Sequence, residues 1–168
     1  MLFRSKELHI LTRDGRLNQD SRRKLKQVNH LYQFIEPLLE EIRAAQGRIT
    51  LVDCGAGKSY LGFILHDLFF KSLPPPVAAA SQVIGIETRE ALVVKSRELA
   101  ERLGFAGMTF HNLPVDEAIA SPALPGTVDI VTALHACDTA TDDAIRFALA
   151  KQARFIVLAP CCQAEVAA

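Results

Sequence analysis

What this sequence lacks narrows it before anything it contains. No apolar run approaches the roughly 20 residues that a membrane-crossing helix needs; the longest, ITLVDCGAG and ARFIVLAPCC, fall far short. No basic-then-apolar leader opens the chain, so a secretory route is not expected. The four cysteines, Cys54, Cys137, Cys161 and Cys162, form neither a CxxC nor a paired secreted spacing. That excludes a disulfide framework and points to a reducing, cytoplasmic setting. There are no internal repeats, and at 168 residues, 49% hydrophobic and 23% charged, the chain has room for one domain and not two.

Net charge is also missing, yet its distribution is uneven. Residues 1 to 30 hold Arg4, Lys6, Arg13, Arg16, Arg22, Arg23, Lys24 and Lys26 against Glu7, Asp14 and Asp20, so this stretch is +5 and the remainder −5. A basic segment of that kind suits a polyanion such as RNA or DNA, although such a stretch is more often a solvated helix face.

Along the chain, residues 2 to 18 alternate loosely around Asp14-Gly15, which reads as a short hairpin or extended arm. Asp20 or Ser21 is positioned to cap a helix running to about Gln46, with Leu25, Val28, Leu31, Phe34, Ile35, Leu38, Leu39 and Ile42 at three-four spacing and Gly47 closing it. Pro37 is expected to kink or divide that helix. From Ile49 the pattern changes to short β-branched runs alternating with helical stretches, the sign of βαβ units. Strands are predicted at ITLVDC, QVIGIE, MTFHN, VDIVTALH and RFIVLAP. Helices are predicted in KSYLGFILHDLFFKS, REALVVKSRELAERLG and ATDDAIRFALAKQ, while LPPPVAAAS is expected to be a loop because its consecutive prolines oppose helix. Residues 1–47 therefore read as a basic arm and helix, and 48–168 as an α/β domain.

The loop VDCGAGKSY, after the first strand, has the layout of a ligand loop. Glycines let backbone pass close to a bound molecule while free helix amides face its anionic end. Three ligand classes use such loops. A dinucleotide fingerprint, GxGxxG, needs a third glycine where this chain has Tyr60, and a triphosphate-binding P-loop needs glycine at Val52. Asp53, two residues before Gly55, instead resembles motif I of class I S-adenosylmethionine-dependent methyltransferases, D/E-x-G-x-G. A second acid, Glu87, ends the next strand, where one carboxylate can accept from two ribose hydroxyls. It follows Gly57 by 30 residues rather than about 20, and the proline-rich insertion accounts for the excess.

The resemblance extends to LHACD-x-ATD after the fourth strand and the Cys-Cys pair after the fifth. These are similar to a methyltransferase subfamily that includes the tRNA ribose methylase with a Cys-Cys-His-His motif and the methyltransferase-like domain of glutathione S-transferase C-terminal domain-containing protein. It covers about residues 21 to 165. It implies a three-layer Rossmann-like fold with parallel strand order 3-2-1-4-5 and S-adenosylmethionine as cofactor. The cofactor site implied comprises Asp53, Cys54, Gly55, Ala56, Gly57, Tyr60, Glu87, Thr88, Asn112, Leu113, Leu134 and His135. The family often holds the adenine amino group with an acid or Asn near the third strand end; Leu113 aligns best here, and either Asn112 or backbone amides are the substitutes.

For the acceptor, transfer from a sulfonium is a direct displacement, so the protein must align the acceptor and, for a hydroxyl, take its proton. His135 and Asp138 are the candidates for that role; the alternative is that Asp138 caps the following helix and His135 packs. Gln163 stands where the Cys-Cys-His-His motif has histidine, and no Asn-Pro-Pro-Tyr occurs, which opposes amino-group chemistry. His135, Cys137, Cys161 and Cys162 have the softness for zinc but lack closely spaced ligand pairs, so no metal is expected. The family adds sixth and seventh strands that this chain does not reach, which reads as a truncated piece with strand five a bare edge. The leading expectation is methyl transfer to RNA (tRNA or rRNA); a non-catalytic binding module and an NAD-dependent oxidoreductase are the rivals.

Overall fold

Five short segments rich in Val and Ile form parallel strands, because a strand covered by helices on both faces needs apolar side chains on both. They are β1 (Thr50–Cys54), β2 (Gln82–Ile86), β3 (Met108–His111), β4 (Ile130–Leu134) and β5 (Phe155–Ala159). The computed structural model describes residues 19–134 and 139–159. The expected N-terminal hairpin and the side chains His135, Cys137, Asp138, Cys161 and Cys162 fall outside that range.

The sheet order is β3-β2-β1-β4-β5, with every neighbouring pair parallel, as the family resemblance implies. Adjacent residues on a strand face opposite sides. Leu51, Val83 and Ile130 accordingly enter one apolar core, and Val52, Ile84 and Val131 enter the other. The first core is covered by α1 (Gln19–Gln46), α2 (Tyr60–Leu68) and α4 (Glu90–Leu103). The second is covered by α5 (Val115–Ala120) and α6 (Thr139–Ala150). Three layers result.

Helix α1 packs in the same layer as α2 and α4. Leu25, Val28, Ile35, Leu39 and Ile42 are buried at the predicted spacing, and Ile35 and Leu39 are 0% exposed. Cutting either back to alanine costs ~2–5 kcal/mol. At its far end Glu41 pairs with Arg154 at 2.5 Å, joining the helix to the approach to β5.

Four local expectations need correction. Asp20 and Ser21 lie inside α1, which starts at Gln19, so neither is its cap. Of the two outcomes expected at Pro37, division does not occur, since α1 runs through it; Pro37 is exposed, and the buried Ile35 and Leu39 on either side hold the helix through the one missing amide. LPPPVAAAS is not all loop, since Pro75–Ala80 form a short helix, α3, with proline in its first turn. The absent proline N–H has no partner to lose there. Finally, Val115–Ala120 after β3 form α5, a helix absent from those predicted; Pro114 precedes it, and Asp116 and Glu117 sit in its first turn, where the helix dipole favours acids.

Candidate cofactor site

At the carboxyl end of the sheet the connections leave β1 toward β2 on one side while β4 lies on the other. That reversal opens a crevice beyond the strand ends. Gly55-Ala56-Gly57 forms one lip. Gly55 (φ 65°) and Gly57 (φ 59°) take left-handed backbone, which glycine adopts without a Cβ clash. A Cβ at Gly55 would meet open space, and one at Gly57 only the Arg89 guanidinium at 3.6 Å, so the loop presents bare backbone to the crevice. Helix α2 follows at once, with no side chain capping its first turn. Its leading amides are available to an anion.

The loop is tied to the second strand in two places. The Ala56 N–H donates to the Ile86 carbonyl at 2.9 Å, and the Gly57 N–H donates to Glu87 Oε1 at 3.0 Å. Gly85 permits this approach: a Cβ there would come within 2.9 Å of Phe110 Cδ1 and 3.3 Å of the Ala56 methyl.

Glu87 is 7% exposed and surrounded by donors. Besides Gly57, Oε1 accepts from Arg89 Nη2 at 2.9 Å, and Oε2 accepts from the Arg89 N–H at 2.9 Å, Arg89 Nε at 3.3 Å and Thr88 Oγ1 at 3.3 Å. Burial pushes its carboxyl up, but the Arg89 guanidinium and the amides of Arg89 and Gly57 outweigh it and hold it at about 2. Glu87 is therefore a carboxylate at neutral pH. Asn112 Nδ2 donates to the carbonyls of Glu87 at 3.0 Å and Thr88 at 2.9 Å, which fixes the turn after β2. Sequence reasoning selected Asn112 for a base contact, and its amide nitrogen is used as a brace.

Asp53 behaves differently. It is 3% exposed, and Thr132 Oγ1 of the neighbouring β4 donates to its Oδ1 at 2.9 Å. Burial raises its carboxyl to about 7 despite that bond. The Cys54 side chain is buried in the second core, where burial and then the charges of Asp53 and Asp143 push its thiol up. Tyr60 packs in the first core at 7% exposure. Thr88 is exposed, while Leu113 and Leu134 are half-buried at the ends of β3 and β4. So Gly55, Ala56, Gly57, Glu87, Thr88 and Asn112 converge at one crevice. Cys54 and Tyr60 face the cores, and His135 and Asp138 lie outside the described residues.

Sequence reasoning missed Arg89 and Thr132. Arg89 is two residues from Glu87 and carried a visible charge; Thr132 required the β1–β4 register, which pairs it with Asp53 across 79 positions. No group of three or more metal-ligating side chains occurs among the described residues. No helix among them is long and apolar enough to cross a membrane.

Comparison with known proteins identifies the family and the fold. The family model described as a methyltransferase domain matches residues 23–168. The bovine (Bos taurus) glutathione S-transferase C-terminal domain-containing protein is 26% identical over 154 residues, covering 91% of this chain and 21% of its own length. The chain thus spans about a fifth of the curated relatives it matches. Magnesium protoporphyrin IX methyltransferase from Synechocystis PCC 6803, crystallised with bound S-adenosylmethionine, superposes with a TM-score of 0.57 at 18% identity, over 99% of this chain and 76% of its own. The bifunctional kinase-methyltransferase WbdD gives a TM-score of 0.58 at 19% identity, over 77% of this chain and 28% of its own.

Proposed function

The chain belongs to the methyltransferase domain family, and from that premise we propose that it binds S-adenosylmethionine in the β1–β2 crevice and transfers its methyl group to RNA. The observation that carries the cofactor half is the Gly57–Glu87 hydrogen bond. It unites the bare-backbone loop and the strand-end carboxylate, the two features that a nucleoside bearing an amino-acid tail requires.

The residues fit such a ligand. Glu87, ionised at neutral pH, accepts the two ribose hydroxyls. The first amides of α2 meet the amino-acid carboxylate, and the left-handed backbone of Gly55 and Gly57 leaves room for the methionine chain. Leu113 offers an apolar face to adenine, and Asn112 Oδ1 is an acceptor for its amino group. Asp53, held near pH 7 by burial, acts from beneath the loop, fixing β1 to β4 through Thr132. When bound, the cofactor supplies an electrophilic methyl on a sulfonium. The chain's task is to align an acceptor in line with it and, for a hydroxyl, to remove a proton. His135 and Asp138, directly after β4, are the groups assigned to that proton.

The RNA half rests on the exposed cations Arg22, Arg23 and Lys26 on α1, in the most basic stretch of the chain. Incubating the protein with methyl-labelled S-adenosylmethionine and total RNA tests it. Label in RNA, lost in Asp138→Ala or His135→Ala, is the expected result. No label in RNA despite cofactor binding would leave a non-catalytic binding module as the better reading.

A further inference from the structure

The carboxylate that the cofactor needs is already saturated. A carboxylate offers about four lone-pair sites, and Glu87 accepts from five donor groups: the Gly57 and Arg89 amides, Arg89 Nε, Arg89 Nη2 and Thr88 Oγ1. The two amides are fixed by the loop and the turn. The side-chain donors are movable, and Arg89 dominates them, contacting both oxygens through its planar fork. The Arg89 side chain is 68% exposed whereas that of Glu87 is 8% exposed. The arginine therefore lies over the carboxylate on its solvent side, where a ribose diol must approach. Arg89 Nη2 is also 3.6 Å from the position of a Cβ on Gly57, so it stands over the glycine loop as well.

From this geometry we infer that the Arg89 guanidinium occupies the ribose seat on Glu87, and that the cofactor enters by exchanging two ribose O–H donors for the two guanidinium N–H donors. Arg89 is then an affinity-setting residue that holds Glu87 ionised and hydrogen-bonded until ligand arrives. The inference rests on the cofactor reading given above. The cost of opening the seat is offset, because the Gly57 and Arg89 amides stay on Glu87 while two ribose hydroxyls replace the fork, and the exposed guanidinium passes into water, where salt screens its charge. Water replaces Glu87 as the partner of the released guanidinium.

The test is titration of S-adenosylhomocysteine into the wild-type chain, Arg89→Met and Arg89→Lys by calorimetry, in low and high salt. Met keeps the aliphatic stem and removes the fork, and thermal melting without ligand checks that each variant is folded. Arg89→Met should bind about two- to fivefold more tightly than wild type at low salt, with Arg89→Lys between them. The difference should shrink as salt is added. Equal or weaker binding by folded Arg89→Met, with wild-type binding intact, overturns the seat-exchange inference and leaves the cofactor reading standing. Absence of binding by all three proteins overturns both.

Discussion

The Gly57 amide donates to Glu87 Oε1 at 3.0 Å, bridging the end of β1 and the end of β2 across 30 residues of sequence. In the proposed binding mode this bond sets the spacing between the seat of the amino-acid tail and that of the sugar. It depends on Gly57 keeping φ at 59°. Gly57→Ala should cost ~1–2 kcal/mol from left-handed strain and weaken S-adenosylhomocysteine binding about tenfold or more. Chemical denaturation and calorimetry on the same variant measure the two effects; unchanged affinity would detach the loop from the site.

Gly85 has a separate role, since it sits in ordinary extended backbone and is selected by space. Its missing Cβ avoids Phe110 at 2.9 Å and Ala56 at 3.3 Å. Gly85→Ala should destabilise by ~1–3 kcal/mol through overpacking and displace the Ala56 end of the loop. A denaturation midpoint shifted to lower denaturant at an unchanged slope is the expected observation.

The three buried or bonded titrating groups give stability a defined pH profile. Asp53 is raised from 3.8 to about 7, so the native state holds its proton more tightly than the unfolded chain does. Its contribution is fully present below about pH 3.8 and is lost as pH climbs to 7. Asp53→Asn, which retains an acceptor for Thr132, should remove that decline and melt higher than wild type at pH 8. A variant with the wild-type slope between pH 4 and 7 would contradict the assignment.

On the acid side the signs reverse. His66 stacks on Phe105 at 4.2 Å, and burial first, then Lys71, lower its imidazole from 6.5 to about 4 against the opposing pull of Asp67. Glu87 falls from 4.5 to about 2. Both contributions are present at neutral pH; that of His66 is lost as pH falls from 6.5 to 4, and that of Glu87 from 4.5 to 2. His66→Phe keeps a ring against Phe105 and should remove the His66 limb from the melting-temperature profile, so that the opposing Asp53 decline between pH 4 and 7 stands uncompensated while the lower Glu87 limb stays in place.

The basic face of α1 is checked by salt dependence. If Arg22, Arg23 and Lys26 contact phosphates of single-stranded RNA, replacing all three by alanine should weaken RNA binding. The slope of log affinity against log salt should also fall by about 2, at roughly 0.7 per phosphate. An unchanged slope would remove α1 from the acceptor surface. These side chains are exposed, so folding is not at risk.

The two-sided core was legible because parallel strands between helices must be apolar on both faces, and runs such as TLVDC and IVTAL are largely so; the strand order came from the family resemblance of the motifs. Glu87 and the glycines were legible because their spacing from a strand end carries the chemistry. The short helices α3 and α5 were not, since each has too few residues for a periodic signal and begins beside proline. Asp53 was read as a cofactor acid from its motif position; its bond to Thr132 depends on sheet register, which single-strand patterns leave open. Arg89 was passed over because a charge after a strand end looks like any exposed cation until its fork is found on both oxygens of Glu87.

Calorimetric titration of S-adenosylhomocysteine into the wild-type chain and Glu87→Gln is the most direct measurement of the central claim. Gln preserves the size of the side chain but provides one neutral acceptor in place of a carboxylate, so the paired acceptance of two ribose hydroxyls is lost. Saturable 1:1 binding by wild type, weakened at least tenfold in Glu87→Gln while the variant remains folded, is the result predicted. No binding by wild type, or equal affinity in the two proteins, would contradict the placement of the cofactor between the glycine loop and Glu87.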